Sequence, residues 1–104
     1  MKGILVKQFL EKLKDPNNSI VVLMSNKRCK HCDTAREILS KIAGGNTTFE
    51  FFEIEIITDK EDPIANMYSL EVLPTVIVFH GDVVVCMING LVKEETYRQL
   101  LGVV

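Results

Sequence analysis

The chain has 104 residues, 47% of them hydrophobic and 25% charged, with a formal net charge of −2 at neutral pH. This length and composition predict one globular domain, residues 1–104, with a single modest core. The slightly negative net charge provides no excess of positive charge with which to bind nucleic acid or an anionic membrane. No run approaches the roughly 18 apolar residues that span a bilayer, and the N-terminus lacks the apolar core of a signal peptide. We therefore expect no nucleic-acid partner, no membrane association and a cytoplasmic location.

The first half of the chain predicts a helix, a strand and a second helix. Apolar residues at helical spacing predict a helix over Val6–Leu13, which the turn residues 15–18 end. An uninterrupted aliphatic run predicts a central strand over Ser19–Met24, covered on both faces. The second helix begins at or near Cys29 and ends at Gly44-Gly45, where glycine suits a helix C-cap.

The second half predicts three more strands and two more helices. Asp62 as N-cap with Pro63 at the first helical position is preferred over a capping box at residues 58–61, which would bury Pro63 inside the helix. The predicted elements are a strand at Phe49–Ile57, a short helix at Pro63–Ser69, a hairpin of Thr75–Phe79 and Val83–Ile88, and a helix at Glu94–Leu101. With right-handed crossovers, this order predicts an α/β fold with helices on both faces of a four-stranded mixed sheet.

Two cysteines stand at the junction between the central strand and the second helix, in the motif Cys29-Lys30-His31-Cys32. A thiolate at a helix start accepts backbone N–H groups that lack an intrahelical partner, at the positive end of the helix dipole. Both effects lower the pKa of the thiol, so the motif predicts a dithiol redox site. We expect no cofactor beyond the Cys29–Cys32 disulfide. The alternative is a zinc or structural pair, which we do not favour because a structural zinc site usually has four ligands.

Positive charge surrounds the first cysteine of this motif. Arg28, Lys30 and His31 are expected to stabilise the Cys29 thiolate, together with the neighbouring Lys27. The alternative interpretation is a solvated helix-start surface, because exposed charges are screened at physiological salt.

Three features of the chain resemble the thioredoxin family: the CxxC motif at a helix start, Leu73-Pro74-Thr75 at the start of a hairpin strand, and Gly90 before the last helix. The resemblance covers nearly the whole chain and implies a thioredoxin-like fold. It also implies that Pro74 is cis and packs beside the dithiol. The backbone of Leu73 would then pair with an extended substrate segment. Gly90 is expected to belong to the same substrate-binding site.

The resemblance implies a thiol-disulfide oxidoreductase in which Cys29 attacks and Cys32 resolves. Disulfide-containing proteins are the expected substrates, and a thioredoxin reductase or glutathione is the expected electron donor. A histidine before the second cysteine resembles disulfide isomerases and bacterial disulfide oxidants, whereas a cytosolic setting favours a reductase. We therefore predict a protein-disulfide reductase of intermediate potential. Two alternatives to the reductase remain: a disulfide isomerase or oxidant, and a non-catalytic binding or metal-carrying module. A monomer is the working expectation, although the sequence does not decide the oligomeric state.

The chain also departs from the thioredoxin pattern. It has no tryptophan, Leu23 stands where thioredoxin has a buried aspartate, and an opening strand is expected to be absent. The paired glycines with which glutaredoxins hold glutathione are missing. Glu53 or Glu55 is a candidate proton acceptor in place of that aspartate, with Glu55 aligned to a buried lysine of thioredoxin; solvated carboxylates are the alternative. Cys86 is expected to be a buried strand cysteine, with a regulatory or intermolecular role as the alternative.

Overall fold

The computed structural model describes residues 1–45, 48–57 and 62–103, in which a central sheet carries helices on both faces. The elements in chain order are β1 (Lys2–Gly3), α1 (Val6–Leu13), β2 (Ser19–Ser25), α2 (Lys30–Gly45), β3 (Glu50–Glu55), α3 (Pro63–Met67), β4 (Thr75–His80), β5 (Val83–Asn89) and α4 (Glu94–Leu101). The predicted α/β class is confirmed, and every predicted helix and strand is present within about three residues of its expected ends.

The strands form one sheet in the order β1-β3-β2-β4-β5. The central strand β2 runs parallel to β3 and antiparallel to β4, so the sheet is mixed, as predicted. The expectation of four strands with no opening strand is wrong, because Lys2 and Gly3 pair in parallel with Phe52 and Glu53. A two-residue strand is too short to show the alternation by which strands are recognised in a sequence.

Each face of the sheet has its own hydrophobic core. Phe9 of α1 and Ile64 of α3 pack on one face, and Leu39 of α2 and Tyr97 of α4 pack on the other. Successive side chains of a strand point to opposite faces of the sheet, so the apolar residues of β2 contribute to both cores. Each fully buried aliphatic or aromatic side chain contributes about 1.5–3 kcal/mol. The core that contains Leu39 fixes the position of α2 on the sheet.

The start of α3 follows the predicted capping. Asp62 Oδ1 accepts hydrogen bonds from the backbone N–H groups of Ile64 at 2.9 Å and Ala65 at 3.2 Å, with Pro63 in the first turn. The helix ends at Met67 rather than at Ser69, because Ser69 adopts a left-handed backbone conformation with φ of 52°. The competing capping box at residues 58–61 lies outside the described residues.

The β4–β5 hairpin marks the end of the sheet that lies away from the CxxC motif. Its turn contains Gly81, which has φ of 61° and donates its N–H to the Asn18 carbonyl oxygen at 2.7 Å, where β2 begins. His80 lies at this end, and its Nδ1 is 3.0 Å from Ser19 Oγ. Because Cys29 follows the opposite end of β2, the hairpin turn and the dithiol are separated by the length of a strand.

Candidate active site

The two cysteines of the motif lie at the start of α2. Cys29 immediately precedes the first helical residue, and Cys32 lies in the first turn. They form a disulfide with Cα atoms 5.2 Å apart, and the backbone N–H of Cys32 donates to Cys29 Sγ at 3.1 Å. Cys29 is partly exposed, whereas Cys32 is 0% exposed. Cys29 is therefore the sulfur that a substrate can reach, as its place at the helix start predicted.

Asn26 organises the turn that carries Cys29. Its side-chain amide donates to the Ile56 carbonyl oxygen at 2.7 Å and accepts from the Arg28 N–H at 2.9 Å. Its own carbonyl oxygen accepts from the Cys29 N–H at 3.1 Å. Asn26 thus ties the active-site turn to the end of β3. Sequence reasoning missed this residue, although an asparagine just after a strand is a common turn former.

Replacing Asn26 by alanine should destabilise the protein by about 1–3 kcal/mol, because the part-buried carbonyl oxygen of Ile56 loses its donor. The free energy of unfolding from denaturant titration is the measurement. Asn17→Ala is the matched control, since Asn17 is exposed in the turn after α1. Equal losses in the two variants would contradict the proposed bracing role of Asn26.

The Leu73–Pro74 peptide bond is cis, as the resemblance implied. Pro74 is buried and Leu73 is half-buried at the start of β4. Because β2 and β4 are adjacent and antiparallel, the turn after β2 and the segment before β4 lie at the same end of the sheet. The N–H of Gly90, whose φ is 79°, donates to the Pro74 carbonyl oxygen at 2.8 Å. The fold therefore brings Leu73, Pro74 and Gly90 together beside the turn that holds Cys29.

The three charged residues predicted to tune the thiolate are all exposed. Arg28 precedes Cys29, while Lys30 and His31 occupy the first two positions of α2. Their side chains flank the accessible sulfur on both sides in the sequence. The fold thus leaves them in solvent next to Cys29, where their effect on the thiolate stays a prediction.

The site combines an accessible sulfur at a helix start, its buried disulfide partner and a cis-proline segment at the same end of a mixed sheet. Comparisons with known proteins agree with this arrangement. The thioredoxin family model matches residues 2–102. The chain belongs to the thioredoxin family. No curated protein matches it.

Solved thioredoxins share the fold of this family member across nearly its whole length. Thioredoxin f2 of Chlamydomonas reinhardtii is 17% identical, with 98% of this chain and 94% of that chain covered and a TM-score of 0.84. A thioredoxin mutant from Halobacterium salinarum is 17% identical, with 96% and 85% covered and a TM-score of 0.79. The short form of spinach chloroplast thioredoxin f is 16% identical, with 97% and 91% covered and a TM-score of 0.81.

This thioredoxin-family chain has an apolar residue, Leu23, at the position expected for a buried aspartate. Leu23 is 0% exposed, and its partner in the register between β2 and β3 is Glu53. Glu55 pairs with Ser25 at the end of the strand and is exposed. Of the two candidate carboxylates, Glu53 rather than Glu55 is therefore the one beside Leu23, because of a strand register that the sequence does not reveal.

Glu53 is held in a network of charge-assisted hydrogen bonds. Arg36 Nε and Nη2 donate to its two carboxylate oxygens at 2.7 Å, and Ser25 Oγ also donates to it. Asp33 accepts from Arg36 Nη1 at 2.7 Å. Burial alone raises the pKa of Glu53, but the hydrogen bonds from Arg36 and Ser25 outweigh it, so the net pKa lies below the usual 4.5. A carboxylate held in this way has a low proton affinity, which argues against Glu53 as the acceptor for the Cys32 proton.

The same network should stabilise the fold in a pH-dependent way. Because folding lowers the pKa of Glu53, its contribution is present above the unfolded pKa near 4.5 and is lost as pH falls through the folded value. We expect Glu53→Gln to lower the free energy of unfolding by about 1–2 kcal/mol at pH 7, after allowance for the solvent exposure of Arg36. This difference from the unsubstituted chain should shrink below pH 4.5 in denaturant titrations. Glu55→Gln, exposed on the same strand, is the control, and parallel pH profiles for all three chains would contradict the assignment.

The remaining candidate groups lie apart from the dithiol. Cys86 on β5 is a free thiol, and it is half-buried against the core formed by α2 and α4 rather than fully buried as expected. Among residues 1–45, 48–57 and 62–103, no three His, Cys, Asp or Glu side chains are grouped closely enough to hold a metal ion. None of the helices in these ranges has the length and apolar character to cross a membrane.

Proposed function

We propose that this chain is a cytoplasmic protein-disulfide reductase of intermediate redox potential, acting through the Cys29–Cys32 dithiol and functional as a monomer. The observation that carries the proposal is the accessible Sγ of Cys29 at the start of α2, disulfide bonded to the buried Cys32. Membership of the thioredoxin family supports thiol-disulfide exchange as the chemistry of this pair.

The first step is attack on the substrate. The Cys29 thiolate, stabilised by the backbone N–H of Cys32 and the start of α2, attacks one sulfur of a substrate disulfide. The S–S bond of the substrate breaks, a Cys29–substrate mixed disulfide forms, and the other substrate sulfur leaves as a thiolate. Catalysis by a covalent intermediate divides the two-electron transfer into two exchanges.

The second step releases the reduced substrate. Cys32 gives its proton to the departed substrate thiolate or to water, and the resulting thiolate attacks Cys29 Sγ. The mixed disulfide breaks, the second substrate thiolate leaves to be protonated by solvent, and the Cys29–Cys32 disulfide forms. Two electrons from a thioredoxin reductase or from glutathione then restore the dithiol.

The cis-proline segment supplies a place for the substrate backbone. Leu73 precedes Pro74 at the end of the sheet where Cys29 lies, and the Gly90 N–H fixes the Pro74 carbonyl oxygen. An extended substrate segment pairing with the Leu73 backbone would hold its disulfide near Cys29. Main-chain pairing of this kind binds many sequences, which suits a reductase with several protein substrates.

One observation favours a second candidate, a disulfide isomerase or oxidant. His31 and Lys30 lie in solvent beside the half-exposed Cys29, where positive charge stabilises the thiolate and hence the reduced form. A more stable reduced form means a more oxidising disulfide. We place the reductase first because a strong oxidant would be kept reduced in a glutathione-rich cytoplasm.

The redox equilibrium of Cys29–Cys32 in defined glutathione buffers tests this proposal. Thiol trapping followed by mass measurement suits a chain without tryptophan. A potential between those of thioredoxin, about −270 mV, and protein disulfide isomerase, about −180 mV, together with catalysed reduction of a disulfide-bonded peptide, would support the reductase. A potential above this interval would favour the oxidant or isomerase. No disulfide in any buffer would contradict both and favour a binding or metal-carrying module.

A further inference from the structure

Four positively charged or basic residues flank Cys29 in the sequence and form what we call the basic rim: Lys27, Arg28, Lys30 and His31. All four residues are exposed. Every ion pair found in the described part of the chain involves other residues, so none of the four is neutralised there by a carboxylate. The rim is therefore a local concentration of positive charge in a chain whose net charge is −2.

The negative charges nearest in sequence do not cancel the rim. Asp33, in the first turn of α2, and Glu53 share the single guanidinium of Arg36 at 2.7 Å, so these three residues carry one net negative charge. That charge offsets only part of the positive charge of Lys27, Arg28 and Lys30. Glu55 lines a cleft that also includes Lys27, and it is the one described carboxylate there without a bonded partner. Lys27 thus has some compensation from Glu55, whereas Arg28, Lys30 and His31 lie outside that cleft.

The cis-proline side of the site carries exposed apolar side chains, with one exposed carboxylate, Glu71, next to them. Val72 is 44% exposed just before Leu73-Pro74, and Ile57 is 68% exposed just after β3, at the same end of the sheet. A single substrate segment crossing this end would meet apolar side chains on the cis-proline side and positive charge on the α2 side. A protein segment can meet both, whereas a small thiol compound is too short to use the apolar side.

We infer that the basic rim selects substrates whose disulfide is flanked by Asp or Glu in an extended protein segment. The inference rests on the proposed thiol-disulfide exchange and adds the class of substrate. Carboxylates beside the attacked sulfur are attracted to the rim, which raises the rate of encounter. The exchange itself is unchanged: Cys29 forms the mixed disulfide, and the substrate sulfur leaves as a thiolate.

Three disulfide peptides of equal length test the inference. They differ only in the flanking residues, which are Glu, Gln or Lys, and glutathione disulfide serves as a small carboxylate-bearing probe. The second-order rate constant of the reduced protein with each is measured by rapid quenching at low and high salt, divided by its rate with a small neutral disulfide. We expect the Glu peptide to react about tenfold faster than the Gln peptide at low salt, with the ratio falling at high salt.

Substitutions in the rim provide the second measurement. Arg28→Gln with Lys30→Gln should reduce the preference for the Glu peptide severalfold, after division by the rate with the neutral disulfide, which removes any change in thiol reactivity. Lys14→Gln with Lys41→Gln removes the same charge far from Cys29 and should leave the preference unchanged. Lys14 follows α1, and Lys41 lies three turns along α2.

The outcomes separate the inference from the proposed function. Equal rates with the Glu and Gln peptides, or a preference that survives both the rim substitutions and high salt, would overturn the inference while the reductase stands. Glutathione disulfide reacting faster than the Glu peptide would overturn the assignment to a protein segment. Absence of exchange with every disulfide, the small neutral one included, would overturn the proposed function and the inference with it.

Discussion

In the Cys32→Ser protein, Cys29 should form a mixed disulfide with a disulfide-containing substrate and retain it. The resolving nucleophile is missing in this variant, so the second exchange cannot occur within the protein. Turnover of a disulfide-bonded peptide should fall by at least about 10³-fold, the scale seen when a member of a catalytic unit is removed. Mass measurement of the trapped adduct, which reducing agent should release, is the direct readout.

Two controls belong with this experiment. Both cysteine variants are made in a Cys86→Ser background, because Cys86 is the remaining half-buried thiol and would otherwise supply an unintended adduct. Cys29→Ser should lose turnover to the same extent but form no adduct, since Cys32 is 0% exposed. If Cys29→Ser formed the adduct and Cys32→Ser did not, the roles of the two sulfurs would be the reverse of those proposed.

Replacing His31 by proline should lower the reduction potential of the dithiol by on the order of 30–60 mV, where 30 mV corresponds to about 1.4 kcal/mol. The ring of His31 lies in solvent at the second position of α2, one residue from Cys32 and two from Cys29. Its positive form stabilises the Cys29 thiolate, and its removal destabilises the reduced state. Proline is tolerated in the first turn of a helix, so α2 should still form. The measurement is the equilibrium with glutathione.

His31→Gln separates the charge from the backbone, because it removes the imidazole but keeps the N–H that proline lacks. We expect it to give most of the fall in potential. Lys14→Gln, remote from the dithiol, should leave the potential unchanged. A fall with proline alone would assign the effect to the backbone N–H rather than to charge, and an unchanged or higher potential in both variants would contradict the electrostatic account altogether.

The local features of the site could be predicted because they depend on neighbours in sequence. Cys29 and Cys32 straddle the start of α2, so their spacing and the helix geometry together make one sulfur accessible and bury the other. The start of α3 is another local case, since Asp62 caps backbone N–H groups two and three residues later. Interactions over so few residues can be recognised from a short stretch of sequence.

Features that depend on pairing between distant segments could not be predicted in the same way. The two-residue strand β1 exists only through its backbone pairing with β3, and its sequence carries no periodic signal. Which of the two carboxylates, Glu53 or Glu55, lies beside Leu23 depended on the register of β3 against β2, in which the partner of Leu23 is Glu53. A shift of two residues keeps a side chain on the same face, so the alternation in sequence could not distinguish the two carboxylates.

The redox motif, the helices and strands in their order and the apolar character of β2 follow from the amino-acid sequence alone, because each depends on spacing within one element. The contacts between distant residues were set by the packing of the folded chain. This packing bonded Gly90 to Pro74, fastened the active-site turn to β3 through Asn26, and joined Arg36 to Glu53. These hydrogen bonds link residues 16 to 30 positions apart in the sequence. Their geometry depends on how the sheet and α2 pack, and it cannot be inferred from a short stretch of sequence.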